Sequence, residues 1–207
     1  MPKREVELDY LQQHLPPGTS GPVFAYLKQY SVHLTITRER HSLLGDYRHR
    51  TEYATHRISV NGTLNRFSFL VTLLHELAHL VTFEMHGNRV QSHGREWKLL
   101  YGKLLSEFLD HKVFPPDIEK EIRRSLINPA ASSCADESLL RVLRNYDEKK
   151  NGPRMIEELA MGTLFKTKDG RVFQKGIKLR KRYKCKEVKT GREYLFSPVY
   201  EVVEVSL

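Results

Sequence analysis

The chain has 207 residues, 40% of them hydrophobic, which suits one domain of ordinary size with a small addition. It has no run of 18 apolar residues and no apolar signal segment at its N-terminus, so we expect a cytoplasmic protein without a membrane partner. The net charge of +9 is uneven: residues 1–163 carry 22 Lys and Arg against 20 Asp and Glu, whereas residues 164–207 carry 12 against 5. This asymmetry predicts an anionic partner for the C-terminal part.

The first 60 residues predict two short helices and three strands. Leucines at helical spacing mark the first helix and residues 24–30 the second, with Pro16-Pro17-Gly18 between them. Alternating or β-branched segments predict the strands, at residues 32–37, 43–47 and 56–60. We expect a three-stranded sheet packed against helices.

A long apolar helix is predicted next. Thr63 or Asn65 would cap its start, and its apolar face continues through Leu80, which predicts a buried helix. A loop at residues 86–92 separates it from a second helix at 94–109.

The rest of the chain predicts connecting helices and then a β module. One helix begins at Pro115-Pro116 and another surrounds residues 139–146, with a loop at 128–135 between them. From residue 161, segments rich in Val, Tyr and Phe alternate with Gly turns and predict four or five antiparallel strands. The predicted fold class is α+β, with a core domain at 1–111, a helical connector at 112–160 and a basic β module at 161–207.

The long helix carries a pattern of metal-binding residues, His75-Glu76-Leu77-Ala78-His79. Histidines four residues apart lie on one face of a helix, one turn apart, where both can bind a single metal ion. Glu76 lies about a quarter-turn away and can reach a metal-bound water as a general base. Three polar residues in so apolar a helix need partners, which favours a metal site over a chance pattern.

A catalytic zinc ion takes three protein ligands and one water, so a third ligand is expected downstream. Glu84 stays on the same helix and moves away from the metal, and His86 would need a sharp chain reversal. His93 precedes the next helix, and Gly94 allows a close approach of the backbone. We rank His93 first, followed by Glu96 and His86.

The segments around these residues resemble the SprT-like metallopeptidases, the family that includes Spartan. Leu74–His79 resembles the family's active-site helix, and Ser92–Trp97 resembles its third-ligand segment, in which a His is followed by Gly and an aromatic residue. The resemblance covers about residues 20–110 and implies a minimal zincin core that acts near nucleic acid; Spartan's substrates are proteins trapped on DNA. Many members add a four-cysteine zinc ribbon, which this chain, with only Cys185 in that region, does not have.

We therefore expect an endopeptidase with one catalytic Zn²⁺ held by His75, His79 and His93 and with Glu76 as the general base. Tyr101 or Arg89 could stabilise the oxyanion, although Tyr101 also suits an ordinary core position. The alternative is a non-catalytic nucleic-acid-binding protein with a structural or vestigial metal site. The presence of Glu76 favours the enzyme, because a structural site does not use a general base.

A basic run in the β module, residues 178–184, is the candidate surface for DNA. On a strand, alternation would place four cations on one face about 6.5 Å apart, and these are Lys178, Arg180, Arg182 and Lys184. Tyr183 and Tyr194 could stack on unpaired bases. The alternative is a solvated strand that aids solubility or docks on the chain's own catalytic part.

Overall fold

The helices and strands of this chain are seen in a computed structural model, which describes residues 8–38, 40, 43–126, 136–148 and 153–205. The chain divides into two compact units, Met1–Asp147 and Glu148–Leu207. Helices and a small mixed sheet form the first unit, and a separate antiparallel sheet forms the second, which confirms the predicted α+β class.

The first unit contains six α-helices and three strands within its described residues. The helices are α1 (Leu8–His14), α2 (Ser20–Gln29), α3 (Arg66–His86), α4 (Arg95–Asp110), α5 (Pro116–Leu126) and α6 (Glu137–Arg144). The strands are β1 (His33–Thr37), β2 (Gly45–Arg48) and β3 (Arg57–Asn61). In the sheet β3 lies in the middle, parallel to β1 and antiparallel to β2, so β2 is an edge strand.

Helix α3 is the central element of the first unit. Of the two predicted caps, Asn65 is the one that is used: its side chain accepts hydrogen bonds from the backbone N–H groups of Phe67 and Ser68. By length and composition alone the segment Arg66–Arg89 could cross a membrane, but 67% of its most apolar window is buried inside the protein. Other elements therefore cover the helix on most sides, which accounts for its apolar composition.

The predicted connector belongs to the core of the first unit. Ile118 and Ile122 of α5 and Leu139 and Leu143 of α6 are buried in the same apolar cluster as α3. The first unit consequently extends to Asp147, well beyond the predicted boundary at residue 111, because these two helices bury their apolar faces against it. The predicted loop at 128–135 lies outside the described residues.

The second unit is a six-stranded antiparallel sheet with its own core. Its strands are β4 (Arg154–Met155), β5 (Leu164–Lys166), β6 (Val172–Lys178), β7 (Tyr183–Glu187), β8 (Glu193–Phe196) and β9 (Glu201–Glu204), in the spatial order β4-β9-β5-β6-β7-β8. Phe165, Phe173 and Val202 lie in its buried cluster. The prediction of four or five strands was too low, because β4 has only two residues and precedes the expected boundary at residue 161.

Candidate active site

Three histidines from α3 and the turn before α4 converge on one point. Nε2 of His79 lies 3.1 Å from Nε2 of His75, and Nε2 of His93 lies 3.2 Å from the same atom. All three potential ligand atoms lie within 4.8 Å of one another. Among the described residues, these three side chains form the one group that could hold a metal ion.

The turn that delivers His93 has an unusual backbone. His93 adopts a left-handed conformation with φ of 59°, which a non-glycine residue rarely takes. Next to it, a Cβ on Gly94 would lie 2.9 Å from the carbonyl oxygen of Gln91, so a glycine is needed there. This tight turn directs the imidazole back toward α3.

The other candidate ligands lie elsewhere. Glu84 forms an ion pair with Arg50, at 3.0 Å, and lies 3.2 Å from Nε2 of His56. His86 is the last residue of α3, and Glu96 lies in the first turn of α4. Of the four downstream candidates, the structure brings only His93 to His75 and His79.

Burial keeps the three imidazoles neutral, which is the form that binds a metal. Desolvation, together with the other two imidazoles, lowers the pKa of His75 to about 3. Desolvation and His93 lower the pKa of His79 to about 4, and desolvation also lowers the pKa of His93. The buried Nδ1 atom of His75 has no hydrogen-bond partner among the described residues.

An aromatic floor supports the three imidazoles. Trp97 of α4 is fully buried, and the centroid of its ring system lies 4.8, 5.3 and 4.7 Å from those of His75, His79 and His93. Tyr101 stacks on Trp97 one turn further along α4 and is buried in the core. Tyr101 thus occupies a core position, and Arg89, the other predicted oxyanion donor, is exposed and donates to the carbonyl oxygen of His86.

Glu76 is buried beside the histidines, against strand β2. Desolvation, with a further contribution from the negative charge of Asp46, raises its pKa to about 8, while Arg40 acts in the opposite direction. A Cβ on Gly45 would lie only 2.5 Å from Oε1 of Glu76 and 2.8 Å from Cγ2 of Thr72. Gly45 is a site residue that sequence reasoning missed, because this contact joins segments 31 residues apart.

A second buried network links β2 to the C-terminal half of α3. The ring of Tyr47 is parallel to that of His79, with centroids 6.4 Å apart, and the Tyr47 hydroxyl lies 2.9 Å from Nδ1 of His56. The backbone N–H of Arg50 also donates to this Nδ1. Nδ1 is therefore the acceptor, and the Nε2–H of His56 donates to Glu84. His56 is buried, with 3% of its surface exposed.

The four predicted DNA-binding cations do not share a strand. Lys178 ends β6, Arg180 and Arg182 lie in the connection to β7, and Lys184 lies in β7, where it pairs with Glu193. The prediction of one alternating strand is therefore wrong. The backbone reverses at this point, and the N–H of Leu179 donates to the carbonyl of Arg182.

The two predicted stacking tyrosines pack on the core of the second unit, and cations already lie over their rings. Lys175 Nζ lies 4.3 Å from the ring centroid of Tyr183, and the Arg171 guanidinium lies 5.2 Å from that of Tyr194. The ring face that each cation covers is therefore not available for stacking on a base.

Comparisons with known proteins match part of the chain to a family. The profile of the SprT-like family matches residues 19–118, which include the three histidines, Glu76 and Gly45. The proteins named SprT from three strains of Pseudomonas putida are each 52% identical to this chain over 29 residues. That segment is 14% of this chain and spans only 18% of each relative's length. No solved structure matches the chain significantly.

Proposed function

We propose that this chain, whose residues 19–118 belong to the SprT-like family, is a zinc-dependent endopeptidase. One observation carries the proposal: three neutral imidazoles converge through their Nε2 atoms, and the residue that follows the first of them on α3, Glu76, is a buried carboxyl group. Three protein ligands with an adjacent general base are the composition of a catalytic zinc site.

The donor set fits zinc. His75, His79 and His93 would hold the ion, and nitrogen atoms about 2.1 Å from one tetrahedral ion are roughly 3.4 Å apart, close to the 3.1 and 3.2 Å observed. When bound, zinc supplies a Lewis acid that polarises a carbonyl group and lowers the pKa of a water molecule.

Glu76 would move the protons. Its carboxylate accepts a proton from the attacking water and delivers it to the leaving amine. Burial raises the pKa of Glu76 to about 8, and a metal cation held by the three neutral imidazoles would lower it, so that the base would be ionised near neutral pH. The left-handed turn at His93 and the ring of Trp97 fix the position of the His93 imidazole relative to the other two.

Strand β2 would position the substrate. It is an edge of the sheet, and its first residue, Gly45, lies directly against Glu76. An extended polypeptide can pair with a free edge strand through backbone hydrogen bonds. A substrate segment on β2 would therefore pass beside Glu76 with little dependence on its side chains, which suits proteins of varied sequence.

The competing function is a structural metal site in a nucleic-acid-binding protein. A structural zinc site is normally closed by four protein ligands. In the described part of the chain the cluster has three, and a buried carboxyl group stands beside them. Both features favour catalysis.

The test compares the wild type with Glu76→Gln, which keeps the side-chain shape and loses the base. We expect Glu76→Gln to retain about one zinc ion per chain and to lose at least about 100-fold in the cleavage of an unfolded protein such as casein. Glu119→Gln, a change at a half-buried position on α5 that pairs with Arg123, is the matched control and should cleave like the wild type. A zinc-loaded Glu76→Gln protein with wild-type activity would refute the mechanism, and zinc-loaded wild type without activity would favour the structural site.

We further propose that the substrates include proteins bound or cross-linked to DNA, and that the connection between β6 and β7 contacts the DNA. Five consecutive exposed positions at the hairpin tip, residues 178–182, carry four cations and a leucine, and a fifth cation lies two positions further on in β7; the cations are Lys178, Arg180, Lys181, Arg182 and Lys184. A projecting hairpin with this charge suits a phosphate backbone. The test is a DNA titration of Arg180→Glu/Arg182→Glu against the matched pair Lys189→Glu/Arg192→Glu, in the turn between β7 and β8. Equal affinities in the two variants would exclude the hairpin.

A further inference from the structure

The outer face of the three-stranded sheet carries a row of basic side chains in the catalytic unit itself. The strand register places His33 of β1 beside Arg57 of β3, and Arg57 beside Arg48 of β2. The next row is Thr35, Ser59 and Asp46. Residues between these positions, such as Leu34 and Ile58, point to the core, so the six side chains share the opposite face.

This face forms a groove of about 330 Å³ lined by those six residues, Ile58 and Arg40. Arg40 crosses it from the preceding loop: its guanidinium donates to Oγ of Ser59, at 3.0 Å, and to Oδ1 of Asn61, also at 3.0 Å. Asn61 is buried and donates in turn to the carbonyl of Leu43, so Arg40 is held in place. The lining combines three guanidinium groups, an imidazole and two hydroxyl groups.

The charges of the groove are only partly balanced. Asp46 is the one carboxylate in its lining, and it pairs with Arg48 at 3.0 Å. Arg57 is exposed and has no ion-pair partner among the residues that the structure describes. Like charges directly opposite each other on neighbouring strands destabilise a sheet, so the Arg48–Arg57 pair has no benefit for folding.

We propose that this groove binds the phosphate backbone of nucleic acid. The three basic positions of the row are about 4.8 Å apart across the strands, which spans a short piece of backbone, and guanidinium and hydroxyl groups are the donors that phosphate oxygens accept from. Ile58 is the one apolar residue among the eight that line the groove, which favours a polyanion recognised through its backbone over an acidic peptide. The inference rests on the DNA partner of the proposed function and not on the peptidase activity.

Strand β2 connects this groove to the candidate active site. Its first residue, Gly45, touches Glu76, and its last, Arg48, lies in the basic row. They are three residue steps apart, roughly 10 Å along the strand, and alternation places Gly45 on the face toward α3 and Arg48 on the outer face. DNA held on the outer face would lie one sheet thickness from the face that packs on Glu76, so a protein attached to this DNA would reach the carboxyl group around the edge strand β2, without a contribution from the second unit.

The test is a titration of the full chain with fluorescently labelled single-stranded and duplex DNA at several salt concentrations. We expect Arg57→Glu to weaken binding on the order of fivefold at low salt and to reduce the slope of log affinity against log salt by about 1. Arg57→Lys should retain most of the affinity, because it keeps the charge. Lys120→Glu, the same charge change at an exposed position on α5, is the matched control and should bind like the wild type. Equal binding by Arg57→Glu and Lys120→Glu would overturn the proposal.

Three further measurements separate the explanations. Arg48→Glu is a second variant of the row and should show the same loss, with zinc content and thermal melting as checks of folding. The second measurement adds Arg57→Glu to the hairpin variant Arg180→Glu/Arg182→Glu. The combined variant should lose the DNA affinity that the hairpin variant retains. If its affinity equals that of the hairpin variant, the sheet face does not bind DNA, and the hairpin proposal is unaffected. Polyglutamate that competes as well as DNA of equal charge would identify an acidic-peptide surface and overturn the assignment to nucleic acid.

Discussion

Gly45 and Glu76 are in contact across the candidate active site, and no side chain larger than hydrogen fits between them. We predict that Gly45→Ala displaces either β2 or the carboxyl group and lowers casein cleavage on the order of 10-fold or more, since displacements near 1 Å are costly in catalysis. Zinc content should not change, because no ligand is touched. Gly21→Ala is the matched control, as a Cβ there has no neighbour within 4 Å; equal activity of the two variants would contradict the prediction.

Zinc affinity should depend on His93 and not on His86. His93→Ala leaves two imidazoles, so we expect zinc affinity to fall at least about 100-fold in a competition titration with a chelator. His86→Ala removes a histidine at the end of α3, outside the cluster, and should retain wild-type affinity. If the two variants lose zinc equally, the third ligand has been assigned incorrectly.

The zinc-free protein should lose stability above about pH 6.5. The pKa of Glu76 is raised to about 8 in the folded state, so the folded state binds more protons than the unfolded state between pH 4.5 and 8, and stability falls as pH rises through this range. His75 and His79, with pKa values lowered to about 3 and 4, act in the opposite direction, but only below their unfolded value of 6.5.

Urea unfolding of the zinc-free protein at pH 6.5 and 8.0 measures this effect. We expect the free energy of unfolding to fall by up to about 1.4 kcal/mol per pH unit between these values. Glu76→Gln has no titrating group at this position and should show a flat profile. A wild-type profile as flat as that of the variant would mean that Glu76 is ionised without the metal.

The helix that carries the metal-binding residues should depend on its N-cap. Asn65 accepts from two backbone N–H groups of α3 and donates to the carbonyl of Leu143 in α6. Asn65→Ala should therefore lower the free energy of unfolding by about 1–2 kcal/mol. Thr63→Ala, at the other predicted cap, is exposed and should change it by less than about 0.5 kcal/mol. Equal losses would indicate that the cap contributes little.

Most elements of the first unit could be predicted, because helical and strand periodicity are local. The apolar spacing of α3 and the separation of His75 and His79 involve neighbours within one or two turns. The connector could not be predicted as part of the core, since the burial of Ile118 and Leu143 depends on packing against distant helices. The basic run was assigned to one strand because charge alternation does not reveal that the chain reverses at Leu179–Arg182.

By itself, the sequence determined that two histidines and a carboxyl group share one buried helix, because a repeat of 3.6 residues fixes which side chains lie together. It left open which downstream residue joins them. The tertiary structure decided in favour of His93 through a left-handed turn, and it placed Gly45 against Glu76 and Arg48 beside Arg57. These relationships join segments far apart in the chain, and they depend on how whole elements pack rather than on any local pattern.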